Sequence, residues 1–421
     1  MITADNAVDV LRRHVQLTGL DLVVDLERSQ GRTLVDARDG TKYLDLLGCY
    51  GSLPVGMNHP DMAGDQRFRD ALVAAALHKL TNSDLYTAEY ARFADAFTQL
   101  LGDPALPHLF FIDGGTLAVE NALKAAFDWK AQRCGTAAPL EVMHLTNAFH
   151  GRSGYTLSLT NTSPVISDRY PAWNWPRVDW RDGLGPPARY LREHGDRVAC
   201  FVAEPIQGAG GDVHVDPAFL RGMQDLCHAH DVLFVLDEVQ TGCGASGTPW
   251  LYQQLGLAPD IVAFGKKTQV CGVIAGRRVD LVDRNVFTVP DRIGSTWGGN
   301  LADMVRATRI FEIIGQHELI PRARVLGTAL LGLLEDIAQS HPGMAENPRG
   351  RGLLAAFDMP DSASRDEFLN RLRERERVLL LPGGARAVRF RPPLTVTADE
   401  LAQAQTAIER VLAEMSHGGR R

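Results

Sequence analysis

Three apolar runs of the sequence end in charged residues suited to acid–base or carbonyl chemistry. VACFVA (198–203) runs into Glu204-Pro205, VLFVL (232–236) into Asp237-Glu238, and IVAFG (261–265) into Lys266-Lys267. In an open α/β sheet, ligands bind beyond the carboxyl ends of the strands, so this pattern places carboxylates and an amine in one crevice. Strands also end where solvent begins, so any one of these charges has an ordinary explanation. Three in succession are harder to explain that way. Upstream, HLFFI (108–112) leads into Asp113-Gly114-Gly115-Thr116 and the helical pattern LAVENALKAAFDWK. A glycine pair and a threonine opening a helix turn backbone N–H groups and the positive end of the helix dipole toward a phosphate. The Gly-Lys-Ser/Thr ending of a P-loop is absent. A second motif, GCGASG from Gly242 to Gly247, fits GxGxxG, with Asp260 further on. Asp237–Thr241 separate it from the strand and Thr248-Pro249 follow it, so it reads as a glycine-rich loop rather than a dinucleotide fingerprint.

The elements that must position these residues are legible as short apolar runs: HLFFI, EVMHL (141–145), VACFVA, VLFVL and IVAF (261–264). Each is apolar on both parities, as strands buried on both faces are, and helical stretches alternate with them. A parallel sheet covered by helices is expected. Residues 1–60 mix short strands with turns, and Asp39-Gly40 reads as a hairpin turn within LVDARDGTKYLDLLG. From Asp61 to His108 the apolar spacing is helical. After Asn300 a helical region runs to about His341. Beyond it lie three strand-like pieces, GLLAAFDM, VLLLPGG and AVRFRPPL, and a last helix from Ala398 to Met415. Trp173–His194, rich in Trp, Pro, Arg and Gly, reads as an irregular excursion between sheet strands. The expected division is an N-terminal segment, 1–60, belonging to a small domain, a large domain over 61–310, and a C-terminal small α+β domain over 311–421.

Composition narrows the partners. Of 421 residues 45% are apolar and 23% charged, an ordinary globular balance with a core that needs no staples. The 44 basic and 51 acidic residues leave a charge of −7, which speaks against nucleic acid or an anionic membrane as the main partner. Six cysteines without CxxC spacing make neither a disulfide framework nor a zinc site, and no metal is expected. The start, MITADNAVDVLRRH, lacks a signal-peptide pattern, and no apolar run approaches the length of a membrane span. The expectation is a cytoplasmic protein.

A helix-terminal phosphate cradle, a buried aspartate, a lysine at the next strand end and the segment Phe149-His150-Gly151-Arg152 match the needs of one cofactor. Pyridoxal phosphate takes a Schiff-base lysine, a carboxylate at its pyridine nitrogen, an aromatic ring to stack on and an anion site. The ordered series GGT, FHGR, EPIQG, DEVQTG, GKK, STWGGN and RFRPPL resembles the class-III pyridoxal-phosphate aminotransferases of fold type I over nearly the whole chain. The wording of GGTLAVENALKAAFDWK, FHGRSGYTLSLTNT, DEVQTGCG and FGKKTQVCGV is most similar to members that act on the ε-amine of L-lysine.

The resemblance implies an α/β architecture. A large domain carries a mostly parallel seven-stranded sheet sandwiched by helices, and a small α+β domain forms from the N- and C-terminal segments. It implies Lys266 as the Schiff-base lysine, with Lys267 as its adjacent competitor, and Asp237 as the pyridinium partner. Gln240 falls near the cofactor's phenolic oxygen, Gly115 and Thr116 at its phosphate, and Phe149 on its ring. Thr296 would reach the phosphate of a neighbouring subunit, making a homodimer with shared active sites. Arg152 would bind the α-carboxylate of lysine and Arg389 that of 2-oxoglutarate, with Arg391 close enough to be confused with it. The implied reaction moves the ε-amino group of lysine to 2-oxoglutarate, leaving 2-aminoadipate 6-semialdehyde, which cyclises. One departure stands out: EPIQGAGG has Ala209 where the family pattern has a glutamate that pairs with the equivalent of Arg389. Arg389 is therefore expected to face the pocket uncovered, with Glu204 as a candidate shield that has its own arginine to hold. The rivals are another ω-aminotransferase (ornithine, diaminobutyrate or modified-lysine donor), a nicotinamide dehydrogenase using GCGASG, and a non-catalytic binding protein on the same scaffold. Intact Lys266 and Asp237 oppose the last.

Overall fold

The computed structural model describes residues 1–135 and 139–418. Seven strands make the central sheet: β1 (His108–Ile112), β2 (Glu141–Leu145), β3 (Arg177–Val178), β4 (Val198–Ala203), β5 (Leu233–Asp237), β6 (Ile261–Phe264) and β7 (Cys271–Ala275). Their order across the sheet is β1-β7-β6-β5-β4-β2-β3. The pairs β6/β5, β5/β4, β4/β2 and β2/β3 are parallel, while β7 runs antiparallel to both β1 and β6. Every residue of β4, β5 and β6 is buried, which is why these runs carry no polar alternation.

Two strands escape the apolar-run reading, each for a physical reason. β7 follows β6 across only a short 3-10 turn, Lys266–Thr268, too short for a crossover helix, so the chain must return antiparallel. β3 is a two-residue edge strand inside the stretch Trp173–His194, which is therefore not wholly irregular. The same stretch also holds a helix, Gly185–His194, whose prolines fall in its first turn, where a missing N–H costs nothing.

The helix Gly115–Cys134 packs on one face of the sheet, with Ala118, Val119, Ala122, Leu123 and Trp129 fully buried. Trp129 Nε1 donates to Arg278 O at 3.0 Å, so its burial leaves no orphan donor. On the other face Phe93, Phe97, Phe111, Phe264 and Phe311 form a contiguous aromatic core. The N-terminal hairpin, Thr33–Val35 with Lys42–Asp45, pairs with Val378–Leu379, tying the chain's two end regions together. A four-stranded antiparallel sheet follows the long helix Leu319–Ser340, in the order Glu346–Arg351, Leu354–Asp358, Ala387–Phe390, Leu381–Gly383. Its first strand, ENPRGR, has no apolar residue to betray it: it is a bulged, charged edge. The loop Gly242–Gly247 packs beneath Trp250 and Ile320 and does not link a strand directly to a helix. No helix among the described residues is long and apolar enough to cross a membrane.

Candidate active site

The carboxyl ends of β4, β5 and β6, with the turns after β1 and β2, open onto one cavity of about 510 Å³. The parallel strands bring Glu204, Asp237 and Lys266 to it. β7, running the other way, contributes Cys271 from its first residue. The turn after β1 supplies Gly115 and Thr116 at the start of their helix, and the turn after β2 supplies Phe149, His150, Gly151 and Arg152. Gly114 precedes that helix at φ +94° and offers no side chain to cap it, so the first-turn N–H groups are available to an anion. Gly151 is required sterically as well: at φ +142° a Cβ would sit 2.5 Å from Thr156 Oγ1 and 2.7 Å from Thr116 Oγ1.

The two adjacent lysines diverge. Lys266 has φ +55°, a left-handed conformation that costs a non-glycine residue energy and turns its side chain into the cavity. Lys267 turns away and donates to Gly51 O at 3.0 Å, only 3% exposed. That carbonyl closes a turn, Gly48–Gly51, in which four successive residues have positive φ. The turn delivers Tyr50 to the cavity wall.

Asp237 is held from two sides. Val239 N donates to its Oδ1 at 3.1 Å, and His150 Nδ1 lies 2.9 Å from its Oδ2. His150 is braced in turn: the Thr160 hydroxyl accepts from the N–H groups of His150 and Gly151 and donates to Gly151 O at 2.6 Å. Burial alone would lower the His150 pKa, but the bond to Asp237 and the charges of Asp237 and Glu204 hold it above the ordinary value. Glu204 takes backbone N–H bonds from Phe149 at 2.9 Å and Gly208 at 3.3 Å, while burial raises its pKa. Among the described residues it pairs with no arginine, contrary to expectation. Burial brings Lys266 down to about 8, with Arg389 and Arg391 adding to the effect and Asp237 and Glu204 opposing it.

The two arginines are distinguishable by what they touch. Arg389 lines the cavity and donates from Nε and Nη2 to Pro382 O at 3.0 and 2.7 Å, while its buried Nη1 has no hydrogen-bond partner. Arg391 is not a cavity residue. It bonds Asp212 through Nη2, gives Nη1 to Phe390 O at 2.7 Å, and holds Gln240 Oε1 at 3.0 Å from Nη2 and 3.3 Å from Nε. The expectation of an uncovered Arg389 is corrected by Asp212, whose Oδ1 lies 3.8 Å from Arg389 Nη1. Arg152 is exposed, with its guanidinium 5.6 Å from the centre of the Phe149 ring. Thr296 lies outside the cavity on an exposed loop, where Ser83 Oγ donates to its carbonyl at 3.4 Å.

Three contributors had no sequence reading of their own. His150 sat unnoticed inside a motif read for its phenylalanine and arginine. Asp212 follows a glycine pair at φ +56°, a conformation aspartate tolerates, and nothing in the sequence marks its partner. Tyr50 was legible only through the glycines on either side of Cys49-Tyr50.

The donor set suits a planar aldehyde carrying a phosphate. A buried amine of depressed pKa and a braced carboxylate come from adjacent strands, an aromatic face borders them, and an uncapped helix start with glycines that exclude a Cβ supplies the anion cradle. Comparison with known proteins covers nearly the whole chain. The chain is 53% identical to the L-lysine-epsilon aminotransferase of Amycolatopsis lactamdurans, over 96% of this chain and 94% of the relative. It is 50% identical to that of Streptomyces clavuligerus, over 96% and 93%. Its fold superposes on the lysine aminotransferase of Mycobacterium tuberculosis, solved in the internal aldimine form, with a TM-score of 0.94 at 52% identity, covering 98% of this chain and all of the other. Residues 16–412 match the class-III aminotransferases as a family. With nearly the whole length matched, this chain belongs to the class-III aminotransferase family.

Proposed function

We propose that the protein is a pyridoxal-phosphate-dependent aminotransferase that moves the ε-amino group of L-lysine to 2-oxoglutarate, giving glutamate and 2-aminoadipate 6-semialdehyde. The observation that carries this reading is the convergence of Lys266 and Asp237 from adjacent parallel strands on a cavity that also holds Arg152 and Arg389. The full-length similarity to lysine-epsilon aminotransferases supports the donor.

Pyridoxal phosphate, when bound, supplies an aldehyde that condenses with amines and a ring that spreads the electron pair of a deprotonated carbon. The chain's residues do the rest. The Lys266 amine, with a pKa near 8, can take a proton from the substrate carbon and return it. Asp237, braced by His150, would hold the pyridine nitrogen protonated. Gly115 and Thr116 would receive the phosphate at the helix start, and Phe149 would cover the ring. Because Arg391 occupies the carbonyl end of Gln240, the amide NH₂ is left to donate and would serve the phenolic oxygen. Arg152 would take the α-carboxylate of lysine and Arg389 that of 2-oxoglutarate, each by charge-assisted hydrogen bonds.

A homodimer is part of this reading. Leu85, Tyr86 and Trp297 are exposed at 57%, 80% and 44%, beside the loop that bears Thr296. Such an apolar rim suits a second copy whose Thr296 completes the phosphate site. The pairing of Val378–Leu379 with the N-terminal hairpin supports the division into 1–60 with 311–421 as a small domain and 61–310 as the large one. Six unpaired cysteines support a cytoplasmic setting. A panel of lysine, ornithine and 2,4-diaminobutyrate against 2-oxoglutarate, followed by glutamate formation, tests the reading. Glutamate from another donor and none from lysine would refute it.

A further inference from the structure

Two buried guanidinium groups and one buried carboxylate meet at the cavity wall. Asp212 and Arg391 are closed off from solvent behind it, and Arg389, 6% exposed, lines the cavity. The carboxylate bonds Arg391 through Oδ1, lies 3.8 Å from Arg389 Nη1 with the same oxygen, and keeps its Oδ2 without a partner. The backbone that carries this carboxylate is anchored. Arg349 donates to Asp212 O at 2.9 Å and also to Gly211 O, while Asp358 braces Arg349 at 2.7 Å. Arg389 is clamped as well, since two of its nitrogens are spent on Pro382 O. The wall residue on the same loop, Ala209, lines the cavity and brings no charge.

We propose that Asp212 is the standing counter-ion of Arg389 and so a specificity-determining residue: it discharges part of the Arg389 field at all times, instead of a carboxylate that comes and goes with the substrate. The proposal rests on the aminotransferase reading. A bare guanidinium in a low-dielectric wall favours a dicarboxylate and repels a donor that brings an ammonium group in the same place. A half-covered one takes both. A guanidinium carries five N–H groups and Pro382 O takes only two of those on Arg389, so N–H groups remain for a substrate carboxylate. Asp212 sets how strongly they pull.

The test is Asp212→Asn, which removes the charge and keeps a side-chain oxygen that can accept from Arg391, so Gln240 stays held. The first readout is calorimetric binding of glutarate, an unreactive dicarboxylate, to the cofactor-loaded enzyme. The second is the ratio of kcat/KM for lysine to that for glutamate. Asp212→Asn should bind glutarate more tightly, by about fivefold or more, while lysine's KM rises and the lysine-to-glutamate ratio falls by about tenfold. A merely structural role would weaken glutarate and lysine together. That outcome, or unchanged glutarate affinity, overturns the proposal. Should the variant fail to fold, Ala209→Glu decides instead. With Asp212 already in place a second carboxylate on the wall should shift the ratio by less than about threefold, and a larger shift would mean that Arg389 stood uncovered. Glutarate binding does not depend on the identity of the amino donor. If lysine proves not to be a donor, the functional reading falls while the glutarate comparison still decides the role of Asp212.

Discussion

Raising the pH through 8 should turn the cofactor-free enzyme from slow to fast uptake of pyridoxal phosphate, because Lys266 must be neutral to attack an aldehyde. A lysine in water titrates near 10.4. Here burial brings it to about 8, helped by Arg389 and Arg391 and opposed by Asp237 and Glu204. Lowering the pKa of a base enlarges its neutral fraction at every pH below the ordinary value, so the sign is a gain of nucleophile near neutrality. At pH 7.5, a base of pKa about 8 is roughly a quarter neutral, against roughly one part in a thousand for an unperturbed lysine, a gain on the order of two hundredfold. The assay mixes cofactor-free enzyme with pyridoxal phosphate from pH 6 to 10 and follows the near-visible absorbance. A parallel titration with N-α-acetyl-lysine subtracts the cofactor's own ionisations. Arg389→Gln should move the midpoint upward by less than about one pH unit, since burial is the larger cause. A midpoint above about 9.5 would refute the reasoning, and so would a rate indifferent to pH: in either case Lys266 would be solvated like a surface lysine, or would not be the attacking group.

Borohydride should fix the cofactor on Lys266 alone, and Lys267→Met should keep that label on peptide mapping while Lys266→Ala loses it, because Lys267 is committed to Gly51 O. Gly151→Ala forces a Cβ against two threonine hydroxyls at positive φ, so it should destabilise the fold by about 1–3 kcal/mol, read as a lowered Tm, and weaken cofactor binding by about tenfold or more. Thr296→Ala should weaken pyridoxal phosphate by about ten- to a hundredfold, the size of one hydrogen bond to a charged group. Dilution of the wild-type protein to monomer should release cofactor in the same equilibrium-dialysis experiment, and a monomer that retains it fully would sink the shared site.

What was legible in the sequence followed from burial. β1, β2, β4, β5 and β6 are apolar on both parities because helices cover both faces of the sheet, and their charged ends mark its functional edge. β7 and the edge strand Glu346–Arg351 were missed because neither carries that signature: one is an antiparallel return after a single turn, the other a charged rim. Within the site, residues that touch ligand chemistry were legible by type and spacing: Lys266, Asp237, Gly115, Thr116 and Phe149 all line the cavity. Residues that act by touching other residues were not. His150 matters through Asp237, and Asp212 through two arginines about 180 positions downstream of it. Pairings of that kind are set by tertiary packing, which leaves no local period to read.

His150, bonded to Asp237, is held toward its charged form, but four other groups at or behind the cavity wall are pushed the other way. Burial drives each of these toward its neutral form: Lys266 to about 8, Lys267 to about 7, Arg389 to about 10, and Glu204 upward. A buried charge that is only partly met stores an unfavourable energy that the correct ligand can relieve. The relief is divided by position. An anion at the start of the Gly115 helix acts on a backbone dipole and leaves the side-chain charges as they were. A dicarboxylate meets Arg389 at the cavity wall and stabilises its charged form. A cationic donor brings no such relief to Arg389, so it can be accepted only where that charge is already partly met. Asp212, fixed by Arg349 and closed off from solvent, meets it before any substrate arrives. One unmoving wall can then admit, in turn, an ammonium-bearing donor and a doubly negative acceptor.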